Sequence, residues 1–573
     1  MQKKIYKKDG YLILGVNGWI ERRHDASAAL IEVTKHSCRI LGALEEEKII
    51  GIKRAYDMFP TKSIQCLLNM FSLCPEDIDE IAIGWNFPQF YKNLNYTYPF
   101  VSDAMILEQI FGRPINKQIQ IHFVDHHLAH AACSYRTSNY KDALVFVLDG
   151  QGEDTSISVW KTENHVLIKL EEMPISCSLG YMYEAANYIL GFQTYESGKT
   201  MGLAAYGTPT YTDEILSCFP DFNLGHKLKL YMKMFRHYSI KTMDMSPTMI
   251  STWRYFYEND LGTLQNDEKI TSFYETPLIY KNLASSVQRV LEIKVIDIIK
   301  KFVEETNIHE ICLGGGVALN CKMNGEVLKE KCVDRLFINP AANDAGVSLG
   351  AALELAHQSG YCANISGEFN PFLGIAFSND EIIANLKEKG IKYYVVDDAA
   401  DYVAKCIEQN RVLALFQGRN EWGPRALGNR SIIANSTVLN NLDYINGFVK
   451  DREFGRPLSP SIIDDEQTIF SKAVKMVGRY MNIAYYGENQ IDKHPAIIHV
   501  DNTYRPGFVS EDFNQDYYHQ LASVKGLMGS SVVINTSFNL KTPIICWMDD
   551  ALEMWKTRAL NSLVFNNSII VEK

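Results

Sequence analysis

The 573-residue chain contains no run of eighteen apolar residues and no C-x-x-C pair among its twelve cysteines. The first lack argues against a transmembrane helix, the second against a cysteine-ligated zinc site. The opening stretch MQKKIYKKDGYLILGVNG has a basic head but no apolar segment ending in a cleavage site, so no secretory signal peptide is expected. A cytoplasmic protein with reduced, mostly buried thiols is the expectation, and any metal would need histidine and carboxylate ligands. Positive charge is also short. With 57 Lys and Arg against 68 Asp and Glu, the net charge is −11, which argues against a nucleic-acid partner.

What is present reads as α/β. The length exceeds one core, so two or three domains are expected. YLILGVNG (11–18), DASAALIEV (25–33), EIAIGW (80–85) and DALVFVLDG (142–150) are short apolar runs that read as buried strands. HEICLGGGVALN (309–320) and RLFINPAANDAGVSLGAALELA (335–356) each run from strand through a loop into a helix. ILGVNGWIERRHDASAALIEV and FVLDGQGEDTSISVW share a strand, polar glycine turn, strand pattern. That echo suggests a duplicated fold of the actin-like ATPase kind, with phosphate between the two turns. Residues 208–285 are aromatic and Met-rich without clean periodicity. They read as an inserted, peripheral helical subdomain, with an acceptor-binding lid as the sharper alternative. Gly, Asn and Pro near 360–375 mark a boundary, after which a new α/β section begins.

Residues 124–138, VDHHLAHAACSYRTS, hold three histidines within five positions. Asp125 can cap a helix start. On a helix His126 and His130 share one face and could reach one metal, and His127 with His130 is a second geometric choice. Two imidazoles do not complete a site. Asp149 ends an apolar strand and is placed to hold an ion. Asp344 precedes a helix, where an N-cap is the plainer reading. If the fold gathers these four types of group, a mixed N/O site for Fe(II), Mn or Zn results.

The turns DGQGED (149–154) and GGGVALN (314–320) expose backbone N–H groups suited to phosphate, which points to a nucleotide. Lys199, in a further glycine-flanked loop, is a further candidate nucleotide-binding residue. Arg419, Arg425, Arg430, Lys450, Arg452, Arg456 and Arg505 concentrate in glycine- and proline-bearing loops of the C-terminal section, near Asn535 and Ser537. In an acidic chain such a set suits a dense anionic ligand.

Together these stretches resemble the O-carbamoyltransferases of natural-product biosynthesis, the tobramycin, nodulation and cephamycin carbamoyltransferase type. The matching segments run in order along nearly the whole chain: HDASAAL (24–30), DHHLAHAACSYRTS (125–138), VLDGQGE (147–153), GKTMGLAAYG (198–207), LGGGVALNCKMNG (313–325), NPAANDAGVSLGAA (339–352), GRNEWGPRALGNRSIIAN (418–435), REFGRPLSPS (452–461) and INTSFN (534–539). The resemblance implies a Kae1-like N-terminal domain of actin-type ATPase fold over 1–362 and a YrdC-like α/β domain over 370–573. It implies formation of carbamoyl adenylate from carbamoyl phosphate and Mg-bound ATP, then carbamoyl transfer to a hydroxyl of a small natural product.

Carried over by position, His126, His130, Asp149 and Asp344 match the family's metal ligands, for Fe(II) or another divalent ion. His24 matches a histidine near the acceptor and is the candidate general base. Arg425, Lys450, Arg505, Asn535 and Ser537 match the carbamoyl phosphate and adenylate pocket, with Lys450 and Arg505 catalytic. Gly150, Gly152, Gly315 and Gly316 fall in the nucleotide loops. The chain departs from the family's pattern at Lys541 and Thr542, at Tyr504, and at Glu21, Arg22 and Arg23 directly before His24. Two alternatives remain at this stage: a threonylcarbamoyl-transfer enzyme of tRNA modification, and a non-catalytic nucleotide-binding regulator.

Overall fold

A computed structural model describes residues 10–573 except 22, 94, 221–222, 239–243, 470–475, 477 and 488–490. The basic head over 1–9, Arg22, and parts of the segment 208–285 therefore lie outside the described residues.

The apolar runs form strands. In the first half of the N-terminal part, β1 (Tyr11–Asn17), β2 (Ser27–Val33), β3 (Cys38–Glu45), β4 (Glu80–Ile83) and β5 (Gln120–Phe123) make one sheet in the order β3-β2-β1-β4-β5. In the second half, β6 (Leu144–Leu148), β7 (Thr155–Glu163), β8 (Val166–Pro174), β9 (Glu310–Gly314) and β10 (Arg335–Ile338) make another, in the order β10-β9-β6-β7-β8. Read from its other edge, the second sheet repeats the first: an antiparallel meander, then two parallel strands. The internal echo in the sequence is thus a repeated topology.

The helix that ends each half packs on the sheet of the other. Helix His126–Arg136 follows β5 yet lies on β6 and β9, and helix Val347–Gln358 follows β10 yet lies on β1, β2 and β4. The two helices also pack against each other, closely enough to need glycine. A Cβ on Gly350 would stand 1.8 Å from the Ala129 carbonyl oxygen, and one on Gly15 of β1 would stand 1.8 Å from that of Ser348. This contact sets the distance between the histidines on one helix and Asp344 at the foot of the other.

Residues 208–285 are helical: Thr212–Leu216, His226–Phe235, Ser246–Asn259, and the start of Leu278–Thr306. Trp253 and Tyr257 are fully buried there, and the Tyr257 hydroxyl donates to the Met182 carbonyl at 2.9 Å. Met249, Trp253, Phe256 and Tyr257 are core, whereas Met234, Tyr238 and Tyr274 are exposed.

The C-terminal part forms its own sheet from β11 (Tyr394–Val395), β12 (Leu413–Phe416), β13 (Arg430–Asn435), β14 (Ser459–Ile463), β17 (Gly507–Val509), β18 (Val533–Ser537), β19 (Ser562–Phe565) and β20 (Ile569–Glu572). Its order is β11-β20-β19-β12-β13-β18-β14-β17, and β15 (Tyr485–Tyr486) pairs separately with β16 (Thr503–Tyr504). Helices Ala400–Glu408 and Gln515–Met528 pack together on one face of the large sheet.

Backbone groups knit the two parts together. Lys48 donates to the carbonyls of Glu421 (2.9 Å) and Gly423 (2.6 Å), and Trp547 donates to that of Ile49 (2.9 Å). Among the described residues, no helix is long and apolar enough to cross a membrane.

Gly350→Ala is expected to lower unfolding free energy by about 1–3 kcal/mol through overpacking against Ala129. Gly526→Ala, on an open face of helix Gln515–Met528, meets nothing within 4 Å and should be neutral or stabilising. Chemical denaturation of the two variants checks the contrast.

Candidate active site

His126 and His130 occupy the first turns of their helix with both rings buried. Their Nε2 atoms approach to 3.1 Å. His126 Nε2 stands 3.4 Å from Asp149 Oδ2 and 3.6 Å from Asp344 Oδ1, and His130 Nε2 stands 3.6 Å from Asp344 Oδ1. One ligand atom from each of these four residues lies within 4.8 Å of every other. The other ring nitrogen of His126, Nδ1, is 3.2 Å from the Gly84 carbonyl oxygen. That carbonyl can only accept, so Nδ1 donates to it, and Nε2 is the atom that would offer a lone pair to an ion displacing its proton.

Burial works against ionising Asp344, but His126 and His24 outweigh it and hold its carboxyl well below the usual range. Asp149 is likewise lowered, burial and Asp344 being outweighed by His126 and His130. For His126, burial is outweighed by Asp344 and Asp149, which raise it to about 10. Two buried carboxylates facing two imidazoles form a mixed N/O donor set that fits one divalent cation. Asp344 is therefore not serving as a helix cap.

Asp125 does not cap its helix through its side chain either; its Oδ1 accepts from Asn86 Nδ2 at 3.0 Å. The capping carboxylate is Glu153, from the turn after β6, which accepts from the His126 backbone N–H at 3.0 and 3.2 Å. The sequence reading missed this residue. His127 points elsewhere: its Nδ1 is 2.9 Å from Ser158 Oγ, and burial with neighbouring His126 depresses its pKa to about 3. Gly152 leaves it room, since a Cβ there would lie 2.6 Å from the His127 ring.

His24 enters the same space from the turn after β1. Its Nδ1 lies 3.2 Å from Asp25 Oδ2 and 3.9 Å from Asp344 Oδ2. Burial opposes its protonation, but Asp344 and Asp25 prevail and raise its pKa. Asp25 is itself gripped by Arg54 Nη1 at 2.7 Å and by Asn343 Nδ2 at 2.9 Å. Arg54 lies in no motif, and Asn343, although inside NPAANDAGVSLGAA, was not singled out.

The glycine turns meet the cluster. Gly316 N–H donates to Asp149 Oδ1 at 3.1 Å, and Gly150 and Gly316 line the cavity described below. Gly315 adopts φ +86° with its α-carbon against Leu148, where any Cβ would lie 2.2 Å from a carbonyl oxygen. Lys199 is engaged by Glu196 (2.8 Å) and by Glu453 of the C-terminal part (2.9 Å).

The C-terminal cations divide into two sets. Arg419 donates to the carbonyls of Gly374 and Leu41, each at 2.9 Å, and Arg430 to those of Gln417 (2.7 Å) and Ile375 (3.2 Å). These two grip backbone carbonyls and do not line the cavity described below, unlike the cations they were grouped with. Arg425, Arg452, Arg456 and Arg505 instead line the cavity. Burial and then Arg505 push Arg425 down to about 9, and burial and then Arg456 hold Arg452 well below its usual value. Arg425 has no hydrogen-bond partner among the described residues. Arg505 donates to Ser459 Oγ at 2.8 and 3.0 Å. Asn535 and Ser537 stand beside them on β18.

Lys450 is placed differently from the expectation. Fully buried, it donates to the Ser537 and Asn539 carbonyls and to Asn539 Oδ1. It braces the turn after β18 and does not line the cavity.

One cavity of about 1250 Å³ joins the two groups. Its wall includes His24, Asp149, Gly316 and Asp344 at one place, and Arg425, Arg452, Arg456, Arg505 and Ser537 at another. Residues Asp244, Ser246 and Lys269 of the segment 208–285 also line it. So do Tyr504, Lys541 and Thr542, three positions where the sequence departs from the family's pattern.

Asp344→Asn is expected to weaken metal affinity by about 100-fold or more, since loss of a direct ligand exceeds the 10–100-fold typical of outer partners. Metal content per folded chain, read by mass spectrometry after dialysis, checks this.

An uncharacterized protein of Synechocystis, sll1178, is 30% identical over 98% of this chain and 96% of its own length. Nodulation protein NolNO of Sinorhizobium fredii is 29% identical over 98% of this chain and 83% of its own. Component A of the (R)-2-hydroxyglutaryl-CoA dehydratase of Acidaminococcus fermentans aligns with 61% of this chain and 99% of its own, at 14% identity and a TM-score of 0.35. Residues 12–353 match the family described as carbamoyltransferase N-terminus, and residues 404–573 that described as carbamoyltransferase C-terminus. The chain belongs to the carbamoyltransferase family.

Proposed function

We propose that the protein is an ATP-dependent O-carbamoyltransferase acting on a small natural product. The N-terminal part would be its Kae1-like domain and the C-terminal part its YrdC-like domain. At the C-terminal cations, carbamoyl phosphate, Mg-bound ATP and water would give carbamoyl adenylate, pyrophosphate and phosphate. Beside the His/Asp cluster, an acceptor hydroxyl would attack the carbamoyl carbon, and the bond to the adenylate phosphate would break to release AMP.

The observation that carries this reading is the single cavity of about 1250 Å³ shared by the arginines and the His/Asp cluster. A mixed anhydride such as carbamoyl adenylate is lost to water, and an enclosed path between two sites limits that loss. Arg425, Arg452, Arg456 and Arg505 offer fixed cations for phosphate oxygens and for charge that develops as they leave. Gly150 and Gly316 offer backbone approach to phosphate. His24 has its Nδ1 engaged by Asp25. Its Nε2 is then the atom that takes the acceptor's hydroxyl proton. His126, His130, Asp149 and Asp344 would hold Fe(II), or Mn or Zn, which when bound neutralises phosphate charge and polarises the carbonyl.

Purified protein given ATP and carbamoyl phosphate is expected to release AMP and pyrophosphate. Release of ADP alone, or no carbamoyl phosphate-dependent consumption of ATP, overturns the reading. Arg425→Ala should lower pyrophosphate release on the order of 100-fold, as loss of one fixed charge-stabilising donor does.

A further inference from the structure

We propose that Glu45 and Lys48, which belong to the N-terminal part, are positioning residues for Arg425 in the cation wall of the C-terminal part. The anion site of one part is then complete only with the other part seated on it. The inference rests on the reading above in taking Arg425 as a cation that meets phosphate oxygens.

Arg425 does not fix its own place. It has no hydrogen-bond partner among the described residues, and burial and the neighbouring charge of Arg505 both work against it. Its position is set through its backbone, and that backbone is gripped on both sides. On the far side one buried carboxylate oxygen, Glu421 Oε1, accepts from the N–H groups of Leu427 (2.9 Å), Asn429 (2.9 Å) and Arg430 (3.0 Å). On the near side the grip comes from the N-terminal part. Lys48 Nζ donates to the Glu421 and Gly423 carbonyls at 2.9 and 2.6 Å, and Glu45 Oε1 accepts from Gly423 N–H at 3.1 Å. Glu45 also pairs with Lys48, and both residues are buried. Away from water such charge-assisted hydrogen bonds are strong.

Gly423 lets the turn come this close. It adopts φ +96°, and a Cβ there would stand 2.4 Å from the carbonyl oxygen of Pro340, shortly before Asp344 in the chain. The segment that holds Arg425 serves the other centre too. Glu47 Oε2 accepts from Arg54 N–H at 2.7 Å, and Arg54 grips Asp25, the partner of His24, at 2.7 Å. Residues 45–54 thus brace both sites.

Adhesion alone does not call for this pair. Well-packed apolar residues in place of a buried ion pair often hold as firmly. They would not, however, fix the two carbonyls and the N–H that precede Arg425.

Binding of inorganic pyrophosphate to the full-length protein, read by titration calorimetry, tests this. Lys48→Met removes the donor and keeps much of the side chain's length. Lys48→Met and Arg425→Ala are each expected to weaken binding by about 10-fold or more, the worth of one buried charged hydrogen bond. The double variant should bind no more weakly than Arg425→Ala. A residue that acts through Arg425 has nothing further to lose once Arg425 is gone, whereas one that only supports the fold adds its own loss. Should the unpaired Glu45 unfold the chain, Glu45→Gln with Lys48→Met removes both charges together and is the second variant. Absence of pyrophosphate binding in the wild type, wild-type binding in a folded Lys48 variant, or losses that add in the double variant overturns the proposal. Binding is read without turnover, so a failure of the adenylate reading would appear in the AMP assay and not here.

Discussion

Asp149 and Asp344 are both buried; Asp149 stands 3.4 Å from His126, and Asp344 stands 3.6 Å from both His126 and His130. Two carboxylates so close cannot both stay ionised away from water without positive charge between or beside them. The two histidines supply part of that charge when protonated, and a divalent cation would supply it fully. The rest of the N-terminal architecture follows from the need to keep these four side chains converged. Asp149 comes from the end of β6, Asp344 from the foot of one exchanged helix, and the histidines from the first turn of the other.

The exchange of terminal helices between the two sheets makes that convergence possible. Each helix covers the opposite sheet and touches its counterpart where Gly350 meets Ala129. A duplicated fold thus produces one unsymmetrical site at its midline. The C-terminal part closes over this midline and contributes cations that the net charge of −11 conceals. Their mutual repulsion in a half-buried wall favours an anion there, which complements the excess of carboxylate at the cluster.

Much of this was legible in sequence, for reasons of periodicity. Buried strands announce themselves as short apolar runs, and histidines four apart on a helix necessarily share a face. An acid ending such a strand, as Asp149 does, is placed at the sheet's carboxyl edge. Other features carried no such signal. Arg419 and Arg430 sit in the same glycine-rich stretch as Arg425, and nothing in their spacing says that two grip backbone carbonyls while one faces the cavity. Lys450 stands between Val449 and Asp451, and its burial behind β18 depends on strands far away in the chain. Asp125 stands where a cap belongs, yet Glu153, 27 residues distant from His126, takes that place.

The sequence by itself determined the element types of the first two sheets and their duplication, and it offered the His126–His130 pair beside His127–His130, between which the resemblance chose. These depend on local pattern, which survives in one dimension. Only the tertiary structure decided that Asp344 turns toward the histidines and not onto its helix, and that Arg54 grips Asp25. It also decided that the two clusters of charge open into a single cavity. Those outcomes are set by packing distances between segments remote in the chain. Glycines at the helix contact fix those distances, and no residue pattern encodes them locally.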